Sequence, residues 1–286
     1  MPLQDHPFVS YTNTAWAKLI ARAEGEYTAL AAPPALDVSS PVALAAIIDH
    51  THLTPGSPPS AIGQLVNEAV IGEFGAVCIY PERIPLALSL LSSPSPILHR
   101  PKIATVISFP AGTKMTAEKV ADGQAALAAG AQELDVVLNR RPLQEGEYAA
   151  VYAELAAVRA GCSGVLKLIL ETSRLSAHEI IAATVLATTA GWEFVKTSTG
   201  FHGPGARVED VRVMRRVGQW MVKWMGEEGF SRGVLQVKAS GGIKTVGDAR
   251  AMVEAGATRI GASAGVGILK EAKGDTAKTR VEEGGY

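Results

Sequence analysis

The chain has 286 residues, 47% of them apolar and 19% charged, which suits one large domain with a substantial core and excludes global disorder. Its 27 basic and 28 acidic residues leave a net charge of -1, so neither a nucleic acid nor an anionic membrane is expected as a partner. No stretch approaches the roughly 18 apolar residues of a membrane span. The N-terminal residues, with Asp5, Glu24 and Glu26, do not read as a leader, and Cys78 and Cys162 cannot form a disulfide framework, so a cytoplasmic protein without cofactor or metal is expected.

Residues 1–41 read as an N-terminal extension carrying one amphipathic helix. Trp16, Leu19, Ile20, Ala23, Tyr27 and Leu30 share one helical face, and Pro33-Pro34 should stop the helix. From residue 42 to 273 one unit repeats: a short apolar run, a turn signal, then an Ala-rich helical pattern. The runs are 47–53, 76–80, 103–109, 133–139, 165–171, 194–199, 235–240 and 259–263. Helical patterns fall at 61–74, 117–129, 148–160, 177–190, 208–225 and 246–255. Thr116, Ser176 and Thr245, each followed closely by an acid, should cap helix starts, and Gly130, Gly161, Gly191 and Gly256 should cap ends. Residues 274–286 read as a flexible tail ending in Tyr286, whose phenol could swing over the site and assist proton transfer.

Strand–helix alternation implies parallel pairing. Eight units in this length match an α/β fold of the closed (β/α)8 TIM-barrel type, with the N-terminal helix as an accessory. An open doubly wound sheet is the rival, but the first strand leads into His52-Leu53-Thr54-Pro55-Gly56 and not into a G-x-G-x-x-G turn.

Barrel strands are buried on both faces and should read as unbroken apolar runs. Asp49, Asp135, Lys167, Lys196 and Lys238 each break such a run, on five different strands. Pointing inward, they would converge on one axis and compensate one another. A network that only fills the lumen is the structural alternative. The chemical reading is sharper. A free lysine has a pKa of about 10.4, so only about one in 2,500 is uncharged at pH 7. Burial and a second ammonium both disfavour the charged form. An uncharged lysine attacks a carbonyl to give a Schiff base, an electron sink next to a breakable carbon–carbon bond. Lys196 and Lys238, with Asp135 moving protons, therefore read as a metal-free class I aldolase site.

Phosphate handling is the second signal, since barrel enzymes bind phosphate in the loops after strands 7 and 8. Gly241 and Gly242 follow strand 7; Gly261 and Ser263 lie at strand 8, before a helix. Thr199 and Gly200 after strand 6, then Gly203-Pro-Gly205, can contribute, so a small phosphorylated sugar is the expected ligand. His50 and His52 share one face with Asp49 on the other, so they form no three-ligand metal set. Cys78 ends strand 2 and could lie near the site or simply fill core.

These residues also carry a family likeness. Ile48-Asp-His-Thr-His-Leu53, Gly130-Ala-Gln-Glu-Leu-Asp-Val-Val137, Leu166-Lys-Leu-Ile-Leu-Glu-Thr172, Phe194-Val-Lys-Thr-Ser-Thr-Gly200, Val237-Lys-Ala-Ser-Gly-Gly-Ile243 and Gly256-Ala-Thr-Arg-Ile-Gly-Ala-Ser263 run in an order that resembles the deoxyribose-phosphate aldolases. The resemblance covers roughly residues 47–270. It implies Lys196 as the Schiff-base lysine, Lys238 as the lysine that depresses its pKa, Asp135 as proton donor and acceptor, and Lys167 and Asp49 in support. The implied reaction is reversible cleavage of 2-deoxy-D-ribose 5-phosphate into acetaldehyde and D-glyceraldehyde 3-phosphate, in deoxyribonucleoside breakdown. The chain departs from many relatives at Ser263-Ala264, where they carry two serines, and at Phe201, where some carry lysine. Tyr286 matches relatives that end in tyrosine. The other readings are a phosphosugar isomerase without metal, or another Schiff-base aldolase on a barrel; a homodimer is possible.

Overall fold

Eight short parallel strands follow one another in chain order around a closed ring. The computed structural model describes residues 8, 10–31, 33–92, 99–230 and 233–275. The strands are β1 (Ile48–Thr51), β2 (Ala76–Ile79), β3 (Lys102–Ile107), β4 (Glu133–Val137), β5 (Val165–Ile169), β6 (Phe194–Lys196), β7 (Gln236–Ser240) and β8 (Arg259–Ala262). The ring closes where β1 pairs with β8, through Ile48↔Ile260 and Asp49↔Gly261. Each strand lies inside or within one residue of its expected run, and closure removes the open-sheet alternative.

Most strands stop earlier than their apolar runs do. Just beyond the end of β6, the Thr197 backbone still bonds to Lys238 and Thr172, and its side chain adds two bonds: Oγ1 donates to the Ser240 carbonyl (3.0 Å) and accepts from the Ser240 amide (2.9 Å). β5 ends where Glu171 takes a left-handed conformation, φ 59°.

The outer ring comprises α3 (Pro59–Ile71), α4 (Ile84–Leu91), α5 (Thr116–Ala128), α7 (Tyr148–Gly161), α8 (Ala177–Thr189), α9 (Val208–Glu227), α10 (Val246–Glu254) and α11 (Gly265–Ala272). Two short helices, α2 (Pro41–Ala46) and α6 (Arg140–Gln144), precede β1 and α7. Ser176 and Thr245 cap α8 and α10 as expected, with reciprocal bonds to Glu179 and Asp248. Thr116 does not cap α5. The cap position is Met115, whose amide donates to Glu118 Oε2 (2.7 Å), while the Thr116 hydroxyl turns to Glu154. Gly130, Gly191 and Gly256 take positive φ after their helices; Gly161 is the last helical residue of α7, with Cys162 as its cap.

The accessory helix α1 spans Asn13–Glu26 and lies against α7, α8 and α9. It ends before the proline pair, in a single 3-10 turn at Tyr27–Ala29. Trp16, Leu19, Ile20 and Ala23 are buried, each large one contributing roughly 1.5–3 kcal/mol. Trp16 packs on Tyr152 of α7 (4.8 Å between ring centroids), and Phe8 on Trp224 of α9 (6.1 Å). Asn13 Oδ1 accepts from the Ala149 amide (2.8 Å), so the extension satisfies an otherwise unpaired donor in the first turn of α7. Among the described residues no helix is long and apolar enough to cross a membrane.

Candidate active site

Register decides which charged residues meet. Asp135 on β4 lies beside Lys167 on β5, Lys196 on β6 beside Lys238 on β7, and Lys238 beside Arg259 on β8. The five charges expected in the lumen do converge there. Asp135 is the hub: its Oδ1 accepts from Lys167 Nζ (2.8 Å), and its Oδ2 accepts from both Lys196 Nζ (2.7 Å) and Lys238 Nζ (2.8 Å). Lys238 also donates to Asp49, and Lys167 lies 3.5 Å from the same carboxylate.

Two charged residues escaped the sequence reading. Glu133, fully buried, forms an ion pair with Lys167, its Oε2 lying 2.6 Å from Nζ. Arg259 binds Asp49 Oδ1 at 2.7 Å and Glu133 at 3.4 Å. The signal for Glu133 was present: it lies two residues before Asp135, so the strand period puts both on one face. The lumen thus sets the carboxylates Asp49, Glu133 and Asp135 against Lys167, Lys196, Lys238 and Arg259, with half-exposed Lys102 at the rim, 3.4 Å from Glu133.

The lysines are not equivalent. Burial disfavours the charge on each. For Lys238, the Asp135 and Asp49 carboxylates outweigh that effect and hold it above the ordinary lysine value. Lys167 moves up for the same reason, with Asp135 and Asp49 outweighing burial. For Lys196 burial prevails, aided by the Lys238 ammonium and opposed by Asp135, so its pKa is lowered. The Lys167, Lys196 and Lys238 ammoniums outweigh burial at Asp135 and hold its carboxyl well below the carboxylate range. Asp49 is likewise lowered: Lys238, Lys167 and Arg259 overcome its burial. Access separates the lysines too. Lys196 is 3% exposed, and Lys167 and Lys238 are 0%. Of the three, only Lys196 reaches the cleft above. Cys78 on β2 is buried beside this cluster, and burial pushes its thiol up, which leaves it an uncharged wall.

The cleft has a volume of about 290 Å³ and lies at the C-terminal ends of the strands. Thr199, Gly200, Gly241, Gly242, Gly261 and Ser263, the expected phosphate residues, all line it. Ser240, which precedes Gly241-Gly242 in the loop expected to hold phosphate, lines it as well, and so does Lys244, which was not foreseen. Thr199 serves it indirectly: its hydroxyl donates to buried Glu171 and accepts from the Phe201 amide (3.1 Å). That hydroxyl has no hydrogen left for a ligand, and its role is to order the loop that carries Gly200. Gly261 makes room for Lys238, since a Cβ there would sit 2.9 Å from Lys238 Cε.

The loops after β6 and β7 touch backbone to backbone. The Ala206 amide donates to the Gly241 carbonyl (3.0 Å), and a Cβ on Gly205 would meet that oxygen at 2.3 Å. Gly205 also has φ 85°, so Gly205→Ala combines strain with a clash against backbone. It is expected to cost about 2 kcal/mol, read as a lowered denaturant midpoint.

His50 turns away from Asp49: its Nε2 lies 2.7 Å from Glu68, and its ring packs on Phe74. Among the described residues no three His, Cys, Asp or Glu side chains are grouped to hold a metal. Tyr286 lies outside the described residues.

Comparison with known proteins bears on the same stretch. The profile of the DeoC/LacD family aldolases matches residues 44–271. A deoxyribose-phosphate aldolase of Mannheimia succiniciproducens is 43% identical over 231 residues, covering 80% of this chain and 95% of the relative. A crystal structure assigned as a deoxyribose-phosphate aldolase, from Coccidioides immitis, superimposes with a TM-score of 0.81 at 39% identity, covering 93% of this chain and 99% of that one. A tetrameric deoxyribose phosphate aldolase from Aeropyrum pernix has a TM-score of 0.69 at 31% identity, covering 82% and 93%.

Proposed function

The chain belongs to the DeoC/LacD aldolase family, and on that premise we propose that it cleaves 2-deoxy-D-ribose 5-phosphate reversibly into D-glyceraldehyde 3-phosphate and acetaldehyde, with Lys196 as the Schiff-base lysine. The observation that carries the assignment is the contrast between Lys196 and Lys238. They share one carboxylate oxygen, yet only Lys196 is lowered in pKa and open to the cleft.

The uncharged Lys196 nitrogen attacks the C1 carbonyl of the open-chain sugar. Loss of water gives the protonated imine. Removal of the C3 hydroxyl proton then breaks the C2–C3 bond, whose electron pair moves into the imine and leaves an enamine on Lys196. D-Glyceraldehyde 3-phosphate departs, the enamine carbon takes a proton, and hydrolysis releases acetaldehyde and the free amine. Lys238, held charged, is the proton donor; Asp135, held ionised and 2.8 Å from it, is the acceptor and returns the proton. Asp49 and Lys167 keep both charges in place. The backbone around Gly200, Gly241, Gly242 and Ser263, with the Lys244 ammonium, is the proposed seat of the phosphate. This assigns the protein to deoxyribonucleoside breakdown in the cytoplasm, acting as a homo-oligomer, with a homodimer the simplest form.

Reduction with borohydride in the presence of acetaldehyde is expected to leave an ethyl group on the peptide containing Lys196, located by mass spectrometry. Turnover with an unmodified Lys196, or the label on another lysine, would refute the assignment.

A further inference from the structure

We propose that Arg259, backed by Glu133, is a positioning residue that fixes which lysine of the barrel lumen carries no proton. The inference rests on the imine reading of Lys196 and deepens it. Arg259 does not line the cleft and touches neither Lys196 nor Asp135 by hydrogen bond. It acts through two arms. One runs from its Nη1 to Asp49 Oδ1 (2.7 Å), and from the other oxygen of Asp49 to Lys238. The second runs from its Nη2 to Glu133 Oε1 (3.4 Å), from Glu133 Oε2 to Lys167 (2.6 Å), and from Lys167 to Asp135 (2.8 Å), the carboxylate that touches Lys196. The guanidinium is held between these arms against the Phe194 ring, 5.7 Å from its centroid.

Charge balance gives the arrangement its consequence. Charges buried this deeply are tolerated only when compensated. Asp49, Glu133 and Asp135 are matched by Arg259, Lys167 and Lys238. Lys196 is then the surplus cation, and losing its proton leaves the lumen neutral. An arginine is suited to this place because it does not deprotonate, so it cannot yield its share of the balance to Lys196. The groups facing Lys196 are Asp135 from β4, Lys238 from β7 and the Cys78 thiol from β2. Those facing Arg259 are Asp49 from β1 and Glu133 from β4, with half-exposed Lys102 of β3 on the far side of Glu133. Without Arg259 the same carboxylates would require Lys196 as their third cation.

The test is the pH dependence of borohydride trapping with acetaldehyde, measured on the full chain for the wild type, Arg259→Gln, Arg259→Lys and Glu133→Gln. Arg259→Gln is expected to move the midpoint upward by about one pH unit, a roughly tenfold slower trapping on the acid side. Arg259→Lys, which keeps the charge, should restore the wild-type midpoint in large part. Glu133→Gln removes a carboxylate and should move it downward. A merely structural Arg259 predicts lower stability or uniformly slower trapping with the midpoint unmoved, and that result overturns the proposal. If Arg259→Gln does not fold, the downward shift in Glu133→Gln decides; no shift, or an upward one, overturns it. No trapping at Lys196 in the wild type overturns the imine reading and this inference together, whereas trapping with unmoved midpoints overturns this inference alone.

Discussion

Lys238→Leu is expected to lower turnover by about 10²–10⁴-fold, the effect of losing a positioned proton donor, while the barrel still folds. The fold survives because the lumen stays balanced: Asp49, Glu133 and Asp135 keep Arg259, Lys167 and Lys196 as partners. Activity does not survive, because Lys196 now has to supply the charge that Lys238 carried. The ammonium that helps push Lys196 down is gone, and the Asp135 carboxylate that pulls it up remains. A rise of the Lys196 pKa toward the ordinary lysine range lowers the uncharged fraction at neutral pH, and the proton donor is lost with it. The sign gives a second readout. Residual trapping should climb with pH to a midpoint above that of the wild type. Retention of near-normal turnover at pH 7, with circular dichroism unchanged, would remove Lys238 from the mechanism.

Charge was the most legible feature of the sequence because the environment forbids it. In Val165–Ile169 or Gln236–Ser240 a single lysine interrupts residues that must all be buried, so Lys167 and Lys238 stand out without knowledge of any contact. Glu133 and Arg259 did not stand out because each is the first residue of its strand, where a barrel usually meets solvent and a charge is unremarkable. The strand period already puts Glu133 on the face of Asp135, but for Arg259 it is the register, which places it beside Lys238, that shows its charge turned inward. Helix α4 was missed for a different reason. Its sequence Ile-Pro-Leu-Ala-Leu-Ser-Leu-Leu is apolar nearly all round, so it offers no periodic stripe. Thr199 was legible as a cleft residue but not in its role, because the partner that consumes its hydroxyl, Glu171, comes from another strand end. Thr116 illustrates the limit of capping rules: Glu154 on α7 competes for its hydroxyl, and no local pattern announces that.

Asp135→Asn is the variant that should separate imine formation from proton transfer. Asparagine keeps the shape of the hub but loses its charge, so Lys167, Lys196 and Lys238 face Asp49 and Glu133 alone. Two consequences run in opposite directions. Lys196 loses the carboxylate that supports its ammonium, so it should fall further in pKa, and trapping with acetaldehyde should persist or extend to lower pH. The proton acceptor is gone, so cleavage should slow by about 10²–10⁴-fold. Stability should fall by about 3–5 kcal/mol at neutral pH, because a hydrogen-bonded buried charge has lost its partner. The pH profile of that loss is fixed by the depressed carboxyl. Its contribution is complete above the unfolded value of about 3.9 and vanishes only as pH falls toward the lower folded value. Wild type and variant should therefore converge in stability in strong acid and differ most above about pH 4. Trapping lost in parallel with cleavage would place Asp135 in imine formation itself, and the division of labour between it and Lys238 would have to be redrawn.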